Sequence, residues 1–324
     1  MASTQTQWYD RKEVSAGTSW TFTFMSLMVK FLPRPLLVAI SAIICFFFFL
    51  GAKPVRKNSM AYLNRVAKVS GRKKPTLFDS YKHVLSFVLQ MLEKQLSWMG
   101  RLKVSDLENN AEREEFLKYI TSGHGAILLT SHLGNLDMFR SLGDISGNAK
   151  IKNLRICPIV DIENSSRYND LLRKLNPKLM DNIINASNIG IDSAIMLKDK
   201  IDQGYLVVIA GDRTSAKNRD RTVRAKFLGD WAEFPEGSFI LASIIGAPIY
   251  FGVGIRCKNF SLNSKYEFMI HKATTDFSGS RKEKKQKIQA LIEEYIGFIE
   301  EHCKEHPYQW YNFFDFWEEK EQES

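Results

Sequence analysis

Residues 125–137 read Gly125-Ala-Ile-Leu-Leu-Thr-Ser-His132-Leu-Gly-Asn-Leu-Asp137, and their interpretation decides the fold. The apolar run Ala126–Leu129 has the length and composition of a buried strand, closed by Thr130 and Ser131. The pattern then predicts a turn at His132 and a helix from about Asn135 past Phe139. A histidine at the carboxyl end of a strand, five residues ahead of an aspartate, is a candidate base with an orienting carboxylate. On one continuous helix that spacing would leave the two side chains roughly 140° apart. His132 and Asp137 can face each other only if His132 lies off the helix and Asp137 in its first turns. The same spacing also suits a histidine that merely caps or packs.

Working outward, strands and helices alternate. Apolar residues at helical spacing mark Thr76–Trp98, with Asp79 in the first turn, and Ala111–Thr121 is a second, charged helix. Strands are predicted over Leu154–Val160, at Ile183–Ile184, over Tyr205–Ala210, over Pro248–Ile255 and over Tyr266–Ile270. Helices are predicted over Arg167–Leu175, Asp192–Gln203, Glu236–Ile245 and Arg281–His302. This alternation predicts an α/β class, with a mostly parallel central sheet flanked by helices. Ligands in such sheets collect at the carboxyl ends of strands. His132, Asp161 and the pair Asp212-Arg213 all stand there.

The 324 residues carry a formal charge of +9, which points to acidic partners. Apolar residues make up 44%, which argues against disorder. Cys45, Cys157, Cys257 and Cys303 are scattered, with no metal knuckle or disulfide framework, as expected of a reducing compartment. Nucleic-acid binding would place basic residues among exposed aromatics on one face, whereas the strongest basic cluster follows a hydrophobic segment. No nucleic-acid partner is expected.

The domain division expected is a polar segment over 1–19, a hydrophobic membrane anchor over 20–52 and a body over 53–324. Leu36–Ala52 has no charge and includes Phe46 to Phe49, at the lower edge of the roughly 20 residues that cross a bilayer. It starts too late for a cleavable signal peptide. The cluster Lys53, Arg56, Lys57, Arg65, Lys68, Arg72, Lys73 and Lys74 follows, of the kind that stays cytoplasmic and meets anionic headgroups. The alternatives are a spanning helix, an interfacial one and a buried hairpin of a soluble protein.

No dinucleotide fingerprint, Walker loop, nucleophile elbow or zinc-protease motif occurs, and no His/Cys/Asp/Glu spacing suits a metal. His83, His124, His271, His302 and His306 stand in ordinary structural positions. Asn135, beside the base, caps the following helix or contacts substrate. Arg219, Arg221, Arg224 and Lys226 crowd what reads as a polar loop before Phe227, either a solvated charge run or a site for an anionic group. Pro235-Glu236-Gly237 opens a helix in the usual way, and Glu236 is read either as ordinary first-turn chemistry or as a member of the site.

Ser131-His-Leu-Gly-Asn-Leu-Asp137 resembles the H-x-x-x-x-[DE] block of the lysophospholipid acyltransferase superfamily. It is most similar to the branch holding the late lipid A acyltransferases, the lauroyl and myristoyl transferases. Val207-Val-Ile-Ala-Gly-Asp212 occupies the place of that branch's strand ending in Asp-Gln, and Phe227-Leu-Gly229 resembles its Phe-Phe-Gly. Pro235-Glu-Gly237 through Ile245-Gly-Ala-Pro248 matches its glycine, helix and Gly-Ala-Pro turn, and Pro307-Tyr-Gln-Trp310 its Pro-x-Gln-Trp ending. Two departures stand out. Arg213 replaces the usual glutamine, and the ending Tyr311-Asn-Phe-Phe-Asp-Phe-Trp317 is aromatic where the branch is basic.

The resemblance implies a glycerolipid-acyltransferase-like fold on the cytoplasmic face of a bacterial inner membrane. It implies transfer of a fatty acyl chain from an acyl-carrier-protein thioester to a lipid hydroxyl, with His132 as general base, Asp137 orienting it and no cofactor. Asn135, Asp212, Arg213, Arg219, Arg221, Arg224 and Glu236 are the expected substrate contacts. Acyl carrier protein, the membrane and an anionic lipid acceptor are the expected partners. A lipid A-like acceptor, an aryl-polyene or ornithine-type lipid, and a silent, membrane-tethered lipid- or carrier-binding protein remain as readings.

Overall fold

In the computed structural model the described residues are 26–99, 101, 111–135, 154–160, 173, 182–186, 189, 191–213, 221–277 and 280–317. Seven helices are named along them: α1 (Arg34–Gly51), α2 (Lys53–Val69), α3 (Leu77–Trp98), α4 (Ala111–Thr121), α5 (Ile191–Asp202), α6 (Gly237–Ile245) and α7 (Arg281–Glu305). The strands are β1 (Ala126–Thr130), β2 (Arg155–Val160), β3 (Ile184–Asn185), β4 (Tyr205–Ala210), β5 (Thr222–Phe227), β6 (Asp230–Pro235), β7 (Ile249–Arg256) and β8 (Tyr266–Lys272).

The opening stretch forms the middle of the molecule. All five residues of β1 are buried. It pairs in parallel with β4 on one side and β7 on the other. The six-stranded sheet runs β3-β2-β4-β1-β7-β8, and only β8 is antiparallel to its neighbour. Such a sheet is covered on both faces, which is why β1 and β4 are apolar without alternation. Ile127 and Leu129 join a core made with α2, α5, α6 and α7. Ala126 and Leu128 point the other way, into a core made with α1, α3 and α4.

The expected α3 is present, with Thr76 and Asp79 forming a reciprocal capping box. The expected helices past Asn135 and over 167–175 fall mainly outside the described residues. Three elements, α2, β5 and β6, differ from expectation. The stretch read as a charged polar loop is strand β5, paired antiparallel with β6 in a separate hairpin. Its alternation explains this: Ala225 and Phe227 are buried while Arg224 and Lys226 are exposed. The basic cluster after residue 52 is largely carried by α2, which buries Tyr62, Leu63 and Val66.

Helix α1 is long and apolar enough to cross a membrane by length and composition. It also belongs to the body. Leu37, Ser41, Cys45 and Phe49, four residues apart, form a buried stripe along it.

Candidate active site

Strand order builds the site. Because β1 and β4 pair with Thr130 beside Ala210, the residues two steps further on are also neighbours. These are His132 and Asp212. The Asp212 carboxylate, 1% exposed, accepts from the His132 backbone N–H at 2.7 Å through Oδ2. Its Oδ1 lies 2.8 Å from Nδ1 of the same histidine. Asp137, the expected orienting partner, lies outside the described residues. The carboxylate on the ring is the one expected to touch substrate.

Burial raises the Asp212 pKa, but the adjoining imidazole with its hydrogen bonds, and then Arg213, more than offset this. The carboxyl therefore stays below its usual range and is ionised at neutral pH. An ionised carboxylate only accepts, so Nδ1 carries the proton and the lone pair is left on Nε2. Burial and the Arg213 charge pull the imidazole below its ordinary value, against the opposing pull of Asp212. The side chain is 33% exposed, and among the described residues none meets Nε2. A neutral, fixed imidazole with an open Nε2 is the state of a general base.

The loop that holds the ring is tied on every side. Its Ser131 Oγ accepts from the Leu133 N–H at 3.2 Å, closing the turn. The His132 carbonyl accepts from the Tyr311 N–H at 2.9 Å, and Gly134 donates to the Gln309 carbonyl at 2.7 Å. Asn135, 2% exposed, donates its N–H to the Gly254 carbonyl at 2.7 Å. The Gln90 side chain donates to the Gly134 carbonyl at 3.0 Å. Tyr295 donates its hydroxyl to the Thr130 carbonyl at 2.5 Å. Gly134 has φ +68°, and a Cβ there would lie 2.0 Å from the Gly254 oxygen, so only glycine fits.

Gln309 also brackets Arg256, accepting from its N–H at 2.9 Å and donating to its carbonyl at 2.8 Å. The Arg256 guanidinium pairs with Glu93 at 2.9 Å, both buried, and donates to Ser86 Oγ at 2.7 Å. The carboxyl-terminal strap is therefore a wall of the site. Of its residues, Pro307 to Trp310 are marked in sequence through the resemblance, and Tyr311 to Trp317 as an aromatic ending. The contributions of Tyr295, Gln90 and Gly254 left no local signal.

A cavity of about 540 Å³ opens beside the same strand ends. Ile159, Ala194, Ile209, Leu241 and Ile245 give it an apolar lining, and Lys198, Arg213 and Arg221 supply cations. Arg213 follows Asp212 directly and so belongs to both places. Its guanidinium donates to the Tyr311 carbonyl at 2.6 Å. Arg221 reaches the cavity and Glu236 does not; Glu236 lines a second groove with Lys282 and Lys285. Arg224 is away from both, over the Trp231 ring at 5.5 Å on the exposed side of the hairpin. Arg219 lies outside the described residues. Among the described residues no group of three or more His, Cys, Asp or Glu side chains is placed to hold a metal ion.

No family model matches the chain, and no curated protein matches it significantly.

Proposed function

We propose that this chain is a membrane-associated acyltransferase with a glycerolipid-acyltransferase-like fold, acting at the cytoplasmic face of a bacterial inner membrane. It moves a fatty acyl chain from an acyl-carrier-protein thioester to a hydroxyl of a lipid A-like or related glycolipid acceptor. The observation that carries this is the His132 ring, 33% exposed and fixed through Nδ1 by the buried Asp212 carboxylate, whose chain neighbour Arg213 lines an apolar cavity.

In this reading Nε2 takes the proton of the acceptor hydroxyl as its oxygen attacks the thioester carbonyl. Asp212 stabilises the imidazolium that forms, the part a triad aspartate plays. The C–S bond then breaks, and the imidazolium returns its proton to the departing sulfur. No enzyme nucleophile is needed, and Ser131, the hydroxyl nearest in sequence, is buried and engaged in the turn. The apolar cavity suits a fatty chain. The groove with Lys282 and Lys285 gives an acidic carrier cationic contacts nearby.

The test is to incubate the detergent-solubilised protein with acyl-carrier thioesters and total membrane lipid, then identify products by mass spectrometry. An acylated lipid carrying the donor's chain is the expected product. Thioester hydrolysis alone, or an unchanged lipid pool, contradicts the proposal.

A further inference from the structure

Helix α1 has two faces. The stripe from Leu37 to Phe49 is buried against the body, while Ile43, Ile44, Phe47, Phe48 and Leu50 on the other side are 50–68% exposed. Contiguous exposed apolar surface of this kind marks a site that something covers. Leu77 and Phe78, at the start of α3, are exposed as well.

The helix is fixed to the body along its whole length. Arg34, at its start, donates to the Leu262 and Arg101 carbonyls at 3.2 and 3.1 Å. Near its middle the Tyr81 hydroxyl donates to the Ala42 carbonyl at 2.8 Å. Near its end Phe49 meets the Tyr81 ring, with centroids 5.7 Å apart. Before the helix, Arg101 donates to the carbonyls of Val29 and Lys30.

An 18-residue helix is about 27 Å long, close to the roughly 30 Å of a hydrocarbon core. Standing across a bilayer, α1 would carry α3 to the same depth. Through α3 it would carry the partly exposed Lys82 and Asp79, and the polar surface of the body beyond them, to hydrocarbon depth. The cost of placing those charges there excludes that orientation.

We infer that α1 does not span the membrane but lies in the plane of one leaflet, its exposed phenylalanine and isoleucine face sunk among the acyl chains. Exposed cations flank the helix in the chain. Lys30 and Lys53 are exposed beyond its two ends, and Lys57, Lys73 and Lys74 lie further along the chain. That arrangement fits an anionic bilayer surface, which attracts basic residues beside an apolar helix face. The inference stands independently of the acyl-transfer reading.

Native Cys257 is the exposed cysteine of the body; Cys45, Cys157 and Cys303 are buried. A Lys30→Cys variant adds a reporter that precedes α1 in the chain, whereas Cys257 follows it. Membranes sealed as vesicles and carrying this full-length variant are treated with a membrane-impermeant maleimide before and after permeabilisation. An in-plane helix puts both cysteines on one side, so both label before permeabilisation or both only after. If one labels before and the other only after, α1 spans and the inference is overturned.

A second measurement follows co-sedimentation with vesicles of phosphatidylcholine and phosphatidylglycerol at 7:3. Replacing both Phe47 and Phe48 with Ser is expected to weaken partition at least about tenfold, since burial of each ring contributes more than that. Unchanged partition, or a wild-type chain that stays in solution as a dimer, also overturns it.

Discussion

Everything at His132 depends on one tautomer. Asp212, ionised and acceptor-only, holds the Nδ1 proton and leaves Nε2 as the base. Asp212→Asn removes the charge that holds the imidazole's pKa up, so the ring becomes harder to protonate. The acid limb of the rate profile therefore moves to lower pH, while the plateau falls by about 10²–10⁴-fold because the imidazolium loses its partner. A pH–rate series on both proteins checks this; an unchanged limb contradicts it. His83 provides a separate test at the same scale. It is buried between Ser59 Oγ and the Trp310 carbonyl, and burial pushes it down to about 4. Below its ordinary value near 6.5 the unfolded chain takes up a proton that the folded chain refuses until about pH 4. Its share of stability is thus present above about pH 6.5 and falls by about 3 kcal/mol on the way to pH 4. Denaturation midpoints at pH 7 and 4.5 should drop less for His83→Gln than for wild type. None of the His132–Asp212 pairing was legible in sequence. The two residues are 80 positions apart and meet only because β1 and β4 are neighbours. What sequence did offer was that each stands at a strand end.

At the scale of elements, the site is a loop clamped between a strand end and the carboxyl-terminal strap. Gly134 is where the clamp is tightest. Gly134→Ala would have to push the loop or the end of β7 aside, at a cost of a few kcal/mol in stability. Turnover should fall more than tenfold, because the displaced segment carries His132. Thermal midpoints and kcat measured on the same preparation check both halves, and wild-type values for both would show that the clamp is not needed. Sequence periodicity located most described elements, since β1 and β4 are unbroken apolar runs of strand length and α3 carries an apolar stripe at helical spacing. It misjudged β5, where Arg221, Arg224 and Lys226 suggested a solvated loop. The period-two burial of Ala225 and Phe227 is what the charges concealed. The strap was beyond it altogether. Residues 309–312 form no regular element, and their role comes from backbone hydrogen bonds to the distant loop.

For the whole molecule, the layers fix what lies where. One face of the sheet carries α5 and α6 around the apolar cavity, and the other carries α1 and α3 toward the proposed membrane surface. On this account the cavity determines which acyl chain is accepted. Ala194→Phe should shift preference among donors of graded length toward shorter chains, measured as kcat/KM across the series. A preference unchanged by the added ring would place the chain elsewhere. The α/β class was legible from alternating elements, but the hydrophobic segment's double character was not, because composition cannot say which face of a helix finds a partner. Whether His132 deprotonates the acceptor is read from the acyl-transfer rate of His132→Ala, measured with the wild-type protein's own donor and lipid product. A fall of about 10²–10⁴-fold is expected, with the fold intact by circular dichroism. A correctly folded His132→Ala protein turning over at the wild-type rate would contradict it.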